Sequence, residues 1–298
     1  MSASLAKLGI GTAALGLPYG IGAERVSTDS AVALLRDAVA AGVRYVDTAA
    51  SYGDAESVVG KTAAQLVSAG VRVCTKITVP ALRARGALPA LRESLVRLGL
   101  ERVDTVMLHS ADTAALRDPA IGTELGQLVS ERLTARVGVS TYGSADAVFA
   151  SELDWVRALQ VEHSVLNPSV VQALGAKPRI EVVARSVLCK GLLTSRRMRA
   201  GAVGATLRGT LDGLEKIARE CGLDLPTLAI RFALDSPGVD VVLVGVSDAT
   251  ELETALRAAT RPPLDAAVLH ELAAFDRSQS SASHPELWPA QRAGGADS

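Results

Sequence analysis

The amino-acid sequence predicts a single α/β domain built as a closed (β/α)8 TIM barrel. Short apolar or β-branched runs alternate eight times with longer Ala/Leu-rich segments of helical spacing. Such runs are typical of strands that are buried on both faces and joined by helices in a parallel sheet. The chain has 298 residues, and barrels of this class use about 250. A doubly wound open sheet is the alternative architecture.

The eight strands are predicted from the apolar and β-branched runs. In chain order these are Leu8–Ala13, Arg44–Thr48, Val71–Ile77, Val103–His109, Arg136–Ser140, Ala158–Glu162, Glu181–Val187 and Val239–Val246. Because the strands of a parallel barrel all end on one face, we expect chemically active side chains to gather there.

The helices are predicted from apolar residues repeating every three to four positions. In chain order they are Thr28–Ala41, Glu56–Ser68, Pro89–Leu98, Gly122–Glu131, Ala145–Ser151, Ser169–Leu174, Thr206–Cys221 and Ala249–Ala259. Ser27 or Thr28 can cap the first helix, Gly42 can end it, and Pro89 suits a first helical turn.

A further amphipathic helix is predicted over Pro263–Asp276. We therefore expect residues 1–276 to form the barrel with an extra C-terminal helix, and no second domain. Residues 277–298 are rich in Ser, Ala, Gly and Pro, which predicts a flexible tail carrying Trp288.

Composition excludes several classes of function. The 31 Lys and Arg residues balance 32 Asp and Glu residues, giving a formal net charge of −1, so we expect no nucleic-acid or membrane partner. The three cysteines are widely spaced and the histidines lack metal-ligand spacing, so we expect a reduced, cytoplasmic protein without a metal. The glycines of the first 22 residues would break the helix of a secretory signal. The sequence does not indicate an oligomeric state.

The sequence resembles two phosphate-binding motifs but matches neither of them. Gly60-Lys61-Thr62 resembles the end of a P-loop, yet Ala55 stands where its first glycine is required. Gly9 and Gly11 begin a GxGxxG pattern, but position 14 is alanine. A dinucleotide bound by this chain therefore needs a different kind of site.

Four polar residues follow successive predicted strands. Asp47 closes the second strand and Tyr52 follows it in the loop, Lys76 ends the third strand, and His109 ends the fourth. Each residue alone has an ordinary structural explanation, such as a cap, a loop aromatic or a core histidine. A lysine at the end of an apolar strand needs a partner, however, and four such residues on consecutive strand ends favour one shared site.

The stretch Asp47–Gly53 with Glu56 and Gly60, followed by Lys76 and His109, resembles the signature and catalytic tetrad of the aldo-keto reductase family. Further matches extend the likeness over nearly the whole chain; they are Gly138-Val139-Ser140, Gln160 with Asn167, Gly191-Leu192-Leu193 and Gly245-Val246-Ser247. The resemblance implies a (β/α)8 barrel that binds NADP(H) or NAD(H) without a Rossmann domain. It also implies hydride transfer between the nicotinamide and a carbonyl or the corresponding alcohol.

The catalytic roles that the resemblance implies are chemically consistent. Carbonyl reduction needs an acid beside the substrate oxygen, and a free tyrosine, with a pKa of about 10, is a weak one. We expect Tyr52 to be that acid, and the base in oxidation. We expect Lys76 to lower its pKa, Asp47 to hold Lys76, and His109 to donate a hydrogen bond to the same oxygen.

The resemblance also implies a set of cofactor contacts, partly with altered residues. Ser140 and Gln160 match positions that hold the carboxamide; Thr141 replaces a common asparagine, and Arg185 replaces a common stacking aromatic. Gly191 and Leu192 fall at the pyrophosphate loop, with Lys190 or Arg196 as added positive charge. Gly245, Ser247, Asp248 and Glu251 match the adenosine side, and Arg257 is an alternative partner for a 2′-phosphate. The sequence leaves NADPH and NADH open.

Tyr19, Tyr142 and Trp288 are candidates for the lining of a substrate pocket that takes a small carbonyl or alcohol. Two other functions remain open from the sequence. One is a nucleotide-binding sensor or regulatory subunit of the same fold with little turnover. The other is a barrel lyase or isomerase that uses Lys76 as a Schiff base.

Overall fold

The computed structural model describes residues 3–275 of the chain. Eight parallel strands close into one barrel, with neighbours in chain order and β8 paired with β1. The strands are β1 Leu8–Gly11, β2 Tyr45–Asp47, β3 Arg72–Thr78, β4 Val103–His109, β5 Thr134–Ser140, β6 Ala158–Glu162, β7 Glu181–Arg185 and β8 Val241–Gly245. The predicted barrel is confirmed, and the open sheet is excluded.

Sixteen α-helices occur in the described part of the chain. They are α1 Ala3–Lys7, α2 Ala13–Gly16, α3 Thr28–Ala40, α4 Ala55–Gly60, α5 Ala63–Ser68, α6 Val79–Arg85, α7 Ala87–Leu98, α8 Thr113–Leu116, α9 Pro119–Ser130, α10 Gly143–Ser151, α11 Ser169–Leu174, α12 Gly201–Thr206, α13 Arg208–Glu220, α14 Leu225–Asp235, α15 Ala249–Thr260 and α16 Ala266–Ala274. Two short 3₁₀ turns, Cys189–Gly191 and Ser195–Arg199, follow β7. None of the helices among these residues is long and apolar enough to cross a membrane.

Three apolar clusters hold the barrel together. Side chains such as Tyr45, Met107 and Leu243 fill the interior of the barrel. A larger cluster lies between the strands and the surrounding helices, where both strand faces are buried as parallel sheets require. A third cluster packs the loop after β7 against α13, α14 and α16.

Several predicted boundaries change for identifiable reasons. The first strand ends at Gly11 and not at Ala13, because Ala13 begins α2. The predicted helix over Glu56–Ser68 is two helices, broken where the Thr62 hydroxyl donates to the carbonyl of Val59. Ser27 caps α3 as predicted, since its hydroxyl accepts from the backbone N–H of Ser30. The predicted C-terminal helix is shorter, at Ala266–Ala274, and residues 277–298 lie outside the described part of the chain.

Candidate active site

The four predicted catalytic side chains meet at the carboxyl-terminal face of the barrel. Asp47 and His109 are the last residues of β2 and β4, and Lys76 lies two residues before the end of β3. Tyr52 lies in the loop between β2 and α4, which packs against Gly16 of α2. The parallel strands thus carry residues that are distant in the sequence to one rim, as the sequence predicts.

Lys76 is fully buried and its ammonium group is paired on two sides. Nζ donates to Asp47 Oδ2 at 2.6 Å and to the carbonyl of Thr48 at 2.8 Å. Burial alone would lower the pKa of Lys76, but the Asp47 carboxylate holds it above its ordinary value. Lys76 is therefore a fixed cation. It is not a free amine, which disfavours the Schiff-base alternative.

Tyr52 lies directly beside this cation, with its ring centre 4.9 Å from Lys76 Nζ. Burial raises the pKa of the phenol, and the opposing effect of Lys76 reduces that rise without reversing it. The sequence-based expectation of a phenol more acidic than free tyrosine is therefore wrong for this structure. Lys76 acts in the expected direction, but the loss of solvent around Tyr52 is the larger effect.

His109 completes the cluster as a neutral imidazole. Its ring meets that of Tyr52 edge to face, with 5.5 Å between centres. Burial, and then the positive charges of Lys76 and Arg185, lower the pKa of His109 to about 3. Its Nδ1 lies 3.1 Å from the hydroxyl of Ser51, a contact that the sequence analysis missed although Ser51 precedes Tyr52 in the same loop.

Asp47 connects the catalytic cluster to a second buried group. Its Oδ1 accepts a hydrogen bond of 2.7 Å from the side-chain amide of Gln160, while its Oδ2 takes Lys76. The hydroxyl of Ser140 lies 3.4 Å from the other end of the same amide. The residues predicted to hold a carboxamide are therefore joined to the residues predicted to move a proton.

A cavity with about 860 Å³ of empty space opens beside this cluster. Asp47, Tyr52, Gln160 and Arg185 line its catalytic region, and the loops after β1, β7 and β8 supply most of the remaining wall. Two of its lining residues are glycines that lack a side chain where the cavity needs space. A Cβ on Gly11 would have no neighbouring atom within 4 Å. A Cβ on Gly245 would have one, the carbonyl oxygen of Gly11 at 3.9 Å, so a side chain at either position would extend into open space.

The loop after β7 and the start of α15 form the more polar wall of the cavity. Arg196 contacts the hydroxyl of Ser247 and forms an ion pair of 2.7 Å with Glu251 Oε1. The backbone N–H of Ser247 donates to Glu251 Oε2 at 2.9 Å. Gly191 lines the same wall with a positive φ of 96°, whereas the side chain of Leu192 is fully buried in the third apolar cluster.

Two residues predicted for the adenosine side do not line the cavity. The carboxylate of Asp248 accepts from the N–H of Glu251 and caps α15. Arg257 lies in the last turn of that helix, where it pairs with Asp224 at 3.0 Å. Both side chains have structural partners. Asp248 stands immediately before the predicted helix, a position typical of a cap, whereas the pairing of Arg257 with Asp224 joins residues far apart in the sequence and could not be read from it.

Arg185 lines the cavity at the end of β7. Nη2 donates to the carbonyl of Thr141 at 2.7 Å and lies 3.5 Å from Glu162 Oε2, and Nη1 donates to Ser186 Oγ at 3.1 Å. The guanidinium carbon lies 4.0 Å from the ring centre of Tyr142. The sequence analysis missed Glu162, although it stands two positions after Gln160 on β6, a spacing that places both side chains on one side of a strand.

The candidates for the substrate pocket divide into three cases. Tyr19 lines the cavity, and burial, with the neighbouring phenols of Tyr142 and Tyr52, raises its pKa to about 12. Tyr142 is partly exposed and supports the Arg185 guanidinium. Trp288 lies outside the described residues.

Within the described residues no group of three or more His, Cys, Asp or Glu side chains could hold a metal ion.

The cavity fits an extended dinucleotide. Gly11 and Gly245 form a cradle that a side chain would fill, which allows close approach of a ring or a phosphate to the backbone. Lys190 and Arg196 add positive charge to the wall that includes Gly191. Gln160 offers a side-chain amide beside Tyr52, and Glu251 offers carboxylate oxygens of the kind that accept ribose hydroxyls.

Comparisons with known proteins agree with this geometry. The family model described as "Aldo/keto reductase family" matches residues 7–277. An aldo-keto reductase of Mycolicibacterium smegmatis is 30% identical over 181 residues, which are 58% of this chain and 63% of that protein. The chain thus spans less than two thirds of the length of that relative. The D-threo-aldose 1-dehydrogenase of a Pseudomonas species is 28% identical over 289 residues, covering 82% of this chain and 86% of the relative.

Among solved structures, the fold is similar to that of an aldo/keto reductase from Klebsiella pneumoniae in complex with NADP and acetate. The TM-score is 0.68 at 20% identity, and the match covers 89% of each chain. At this level of identity the likeness shows a shared fold.

Proposed function

The chain belongs to the aldo/keto reductase family, and from that premise we propose that it is an NAD(P)H-dependent oxidoreductase in which Tyr52 transfers the proton. Its substrate is a carbonyl compound, or the corresponding alcohol in the reverse direction. The observation that carries the proposal is the cluster of Tyr52, Lys76, Asp47 and His109, of which Tyr52 and Asp47 line the cavity.

The bound nicotinamide supplies or accepts the hydride, and the protein supplies the proton and the electrostatic environment. As negative charge develops on the substrate oxygen, the phenol of Tyr52 gives up its proton and Lys76 stabilises the phenolate that forms. The phenol is protonated at neutral pH even at the ordinary tyrosine pKa of about 10, and burial raises the pKa of Tyr52 further. Proton donation therefore depends on Lys76 and on the charge that develops on the substrate oxygen, and not on a lowered pKa of the resting phenol. His109, being neutral, can donate one hydrogen bond to the same oxygen and orient it.

Residues of the cavity wall would hold the cofactor. We assign Gln160, with Ser140 behind it, to the carboxamide, because Gln160 lines the cavity with Tyr52 and its amide is held between Asp47 and Ser140. We assign Gly191 and Arg196 to the pyrophosphate, and Ser247 and Glu251 to the adenosine ribose. The proposal covers both NADPH and NADH, because Arg257, the predicted partner of a 2′-phosphate, pairs with Asp224 and no other side chain is assigned to that group.

The test compares wild type with Tyr52→Phe. Purified protein is mixed with NADPH or NADH and a panel of aldehydes while cofactor absorbance is followed. We expect Tyr52→Phe to lower kcat/KM by about 10²- to 10⁴-fold, the usual contribution of a general acid. The dissociation constant of the cofactor, measured by fluorescence titration, should stay within about threefold.

Two other outcomes would contradict the proposal. Equal rates in the two proteins would exclude Tyr52 as the acid. Tight cofactor binding without turnover of any aldehyde or sugar would favour the alternative, a nucleotide-binding sensor of the same fold.

A further inference from the structure

Arg185 places a positive charge at the catalytic region of the cavity. It lines the same cavity as Tyr52 and Gln160, and only 14% of its side chain is exposed. Its charge acts on both neighbouring reactive groups, since it opposes the rise that burial causes in the pKa of Tyr52 and adds to the fall in the pKa of His109. The proposed proton transfer does not use this guanidinium, so its position needs a separate explanation.

The contacts of Arg185 hold the guanidinium and leave part of it open. Three of its five N–H groups have acceptors among the described residues: the Thr141 carbonyl, Glu162 Oε2 and Ser186 Oγ. The ring of Tyr142 covers one face at 4.0 Å, which leaves the edge of the group for hydrogen bonds. Two N–H groups therefore have no partner among the described residues.

The counter-charge of Arg185 is more distant than those of Lys76 and Arg196. Glu162 Oε2 lies 3.5 Å away, and the other oxygen of this carboxylate accepts from the N–H of Gly143 at 2.7 Å. Lys76, in contrast, has Asp47 at 2.6 Å, and Arg196 has Glu251 at 2.7 Å. Arg185 is thus the cation of the catalytic region with the most capacity for an additional anionic partner.

We propose that Arg185 binds a carboxylate of the substrate, so that the preferred substrates are carbonyl compounds that carry a carboxylate group. This proposal rests on the proposed function. A guanidinium recognises a carboxylate by charge and by planar N–H geometry, which a lysine at the same place would not reproduce. Tyr19, a neutral phenol in the same cavity, can donate a further hydrogen bond to that group.

The test uses pairs of aldehydes that differ in one carboxylate, namely 4-carboxybenzaldehyde with its methyl ester, and succinic semialdehyde with butanal. In wild type we expect kcat/KM to be about tenfold or more higher for the acid of each pair, the size of a charge-assisted hydrogen bond. The double variant Arg185→Gln/Glu162→Gln removes both charges and leaves no buried carboxylate unpaired. In it the ratio of kcat/KM for the acid to kcat/KM for its neutral partner should fall to about 1. A change in rate that is common to both aldehydes of a pair leaves this ratio unaffected.

Two further variants separate recognition from folding. Arg185→Lys keeps the charge and should retain only part of the preference. Arg117→Gln is the matched control, because Arg117 also lies over an aromatic ring, that of Phe149 at 5.0 Å, but does not line the cavity. As a binding readout without turnover, benzoate should raise the melting temperature of the wild-type complex with cofactor and not that of the double variant.

The outcomes distinguish this inference from the proposed function. If none of the aldehydes is turned over, the proposed function fails. If the neutral aldehydes are reduced as well as the acids in wild type, or if the preference survives in the double variant, the role of Arg185 is refuted while the proposed function stands.

Discussion

At the scale of single residues, the site is dominated by charges buried with a partner. Lys76 is completely buried, Asp47 is 3% exposed, and each satisfies the other at 2.6 Å. A buried ion pair makes a protein little more stable than apolar residues of the same size would. Removing one member, however, is strongly destabilising, because the other charge is then buried without a partner or water. Under the proposed function the pair serves the chemistry at Tyr52, and its loss should then be visible in stability as well as in activity.

We predict that Asp47→Asn lowers the free energy of unfolding by about 3–5 kcal/mol, because it leaves the Lys76 ammonium without its carboxylate. The double variant Asp47→Asn/Lys76→Met buries no charge and should be more stable than the single variant, yet equally inactive. The matched surface control is Glu93→Gln, since Glu93 pairs with Arg85 in solvent and should cost less than about 1 kcal/mol. Urea unfolding of the four proteins measures this order, and a single variant as stable as the double one would contradict it.

His109 makes a prediction about pH. Its folded pKa of about 3 lies below the ordinary value of 6.5, so between these values the unfolded chain binds a proton that the folded chain does not. Stability from this group is present above pH 6.5 and is lost as the pH falls. Between pH 7 and pH 5 we expect wild type to lose about 1–2 kcal/mol that His109→Gln does not lose. Urea unfolding of both proteins at pH 7 and at pH 5 measures this difference. If wild type and His109→Gln lose the same free energy of unfolding between the two pH values, the pKa of His109 has no such shift.

The residues of the cluster differ in how far the sequence predicts them. Asp47, Tyr52, Lys76 and His109 stand at or near strand ends, where the parallel topology fixes their meeting place. Ser51 and Glu162 were missed because their contacts depend on side-chain direction and on partners far along the chain. The pKa of Tyr52 was predicted in the wrong direction because burial, the larger effect, cannot be summed from sequence.

At the scale of elements, the strands were predicted more accurately than the helices. A buried parallel strand is a short apolar run with polar ends, and all eight runs coincide with strands. Helix α14 was missed because it is buried on nearly every side, so that Arg231 within it is fully buried and no polar face marks the period. Its Asp224 cap and the proline in its first turn were the signals available.

The close approach of α2 to the Tyr52 loop gives the element-scale prediction. A Cβ on Gly16 would lie 2.0 Å from the carbonyl of Tyr52 and 2.4 Å from the N–H nitrogen of Ala55, so Gly16→Ala must displace the loop that carries the phenol. We expect kcat to fall at least tenfold, since small displacements of catalytic groups are costly.

The matched control for Gly16→Ala is Gly126→Ala. Gly126 lies inside α9, and its added Cβ would meet nothing within 4 Å. Gly126→Ala should keep full activity. It should raise the free energy of unfolding by about 0.5–1 kcal/mol, because alanine is favoured over glycine inside a helix. Steady-state kinetics and urea unfolding measure both effects; full activity in Gly16→Ala would mean that the loop does not need this contact.

At the scale of the whole molecule, the cavity draws on both ends of the chain. Strand β1 pairs with β8 through four residue pairs, from Leu8 with Val242 to Gly11 with Gly245. The loop after β7 reaches the loop after β1, where the N–H of Ile21 donates to the carbonyl of Lys190 at 2.8 Å. A ligand in this cavity therefore contacts segments whose positions depend on closure of the entire barrel.

We predict from this that the cofactor stabilises the barrel as one unit. A ligand that binds only the folded state at 100 times its dissociation constant adds about 2.7 kcal/mol to the free energy of unfolding. Far-UV circular dichroism and the fluorescence of Trp155, in a Trp288→Phe background, should report the same increase, because the cavity wall joins the first and the last strand of the closed barrel. Arg196→Ala should reduce the increase at a fixed cofactor concentration, since Arg196 lines the cavity. Arg257→Ala should leave the increase unchanged, because the Arg257 side chain pairs with Asp224. An increase seen by only one probe would mean that the cavity wall and the barrel unfold separately.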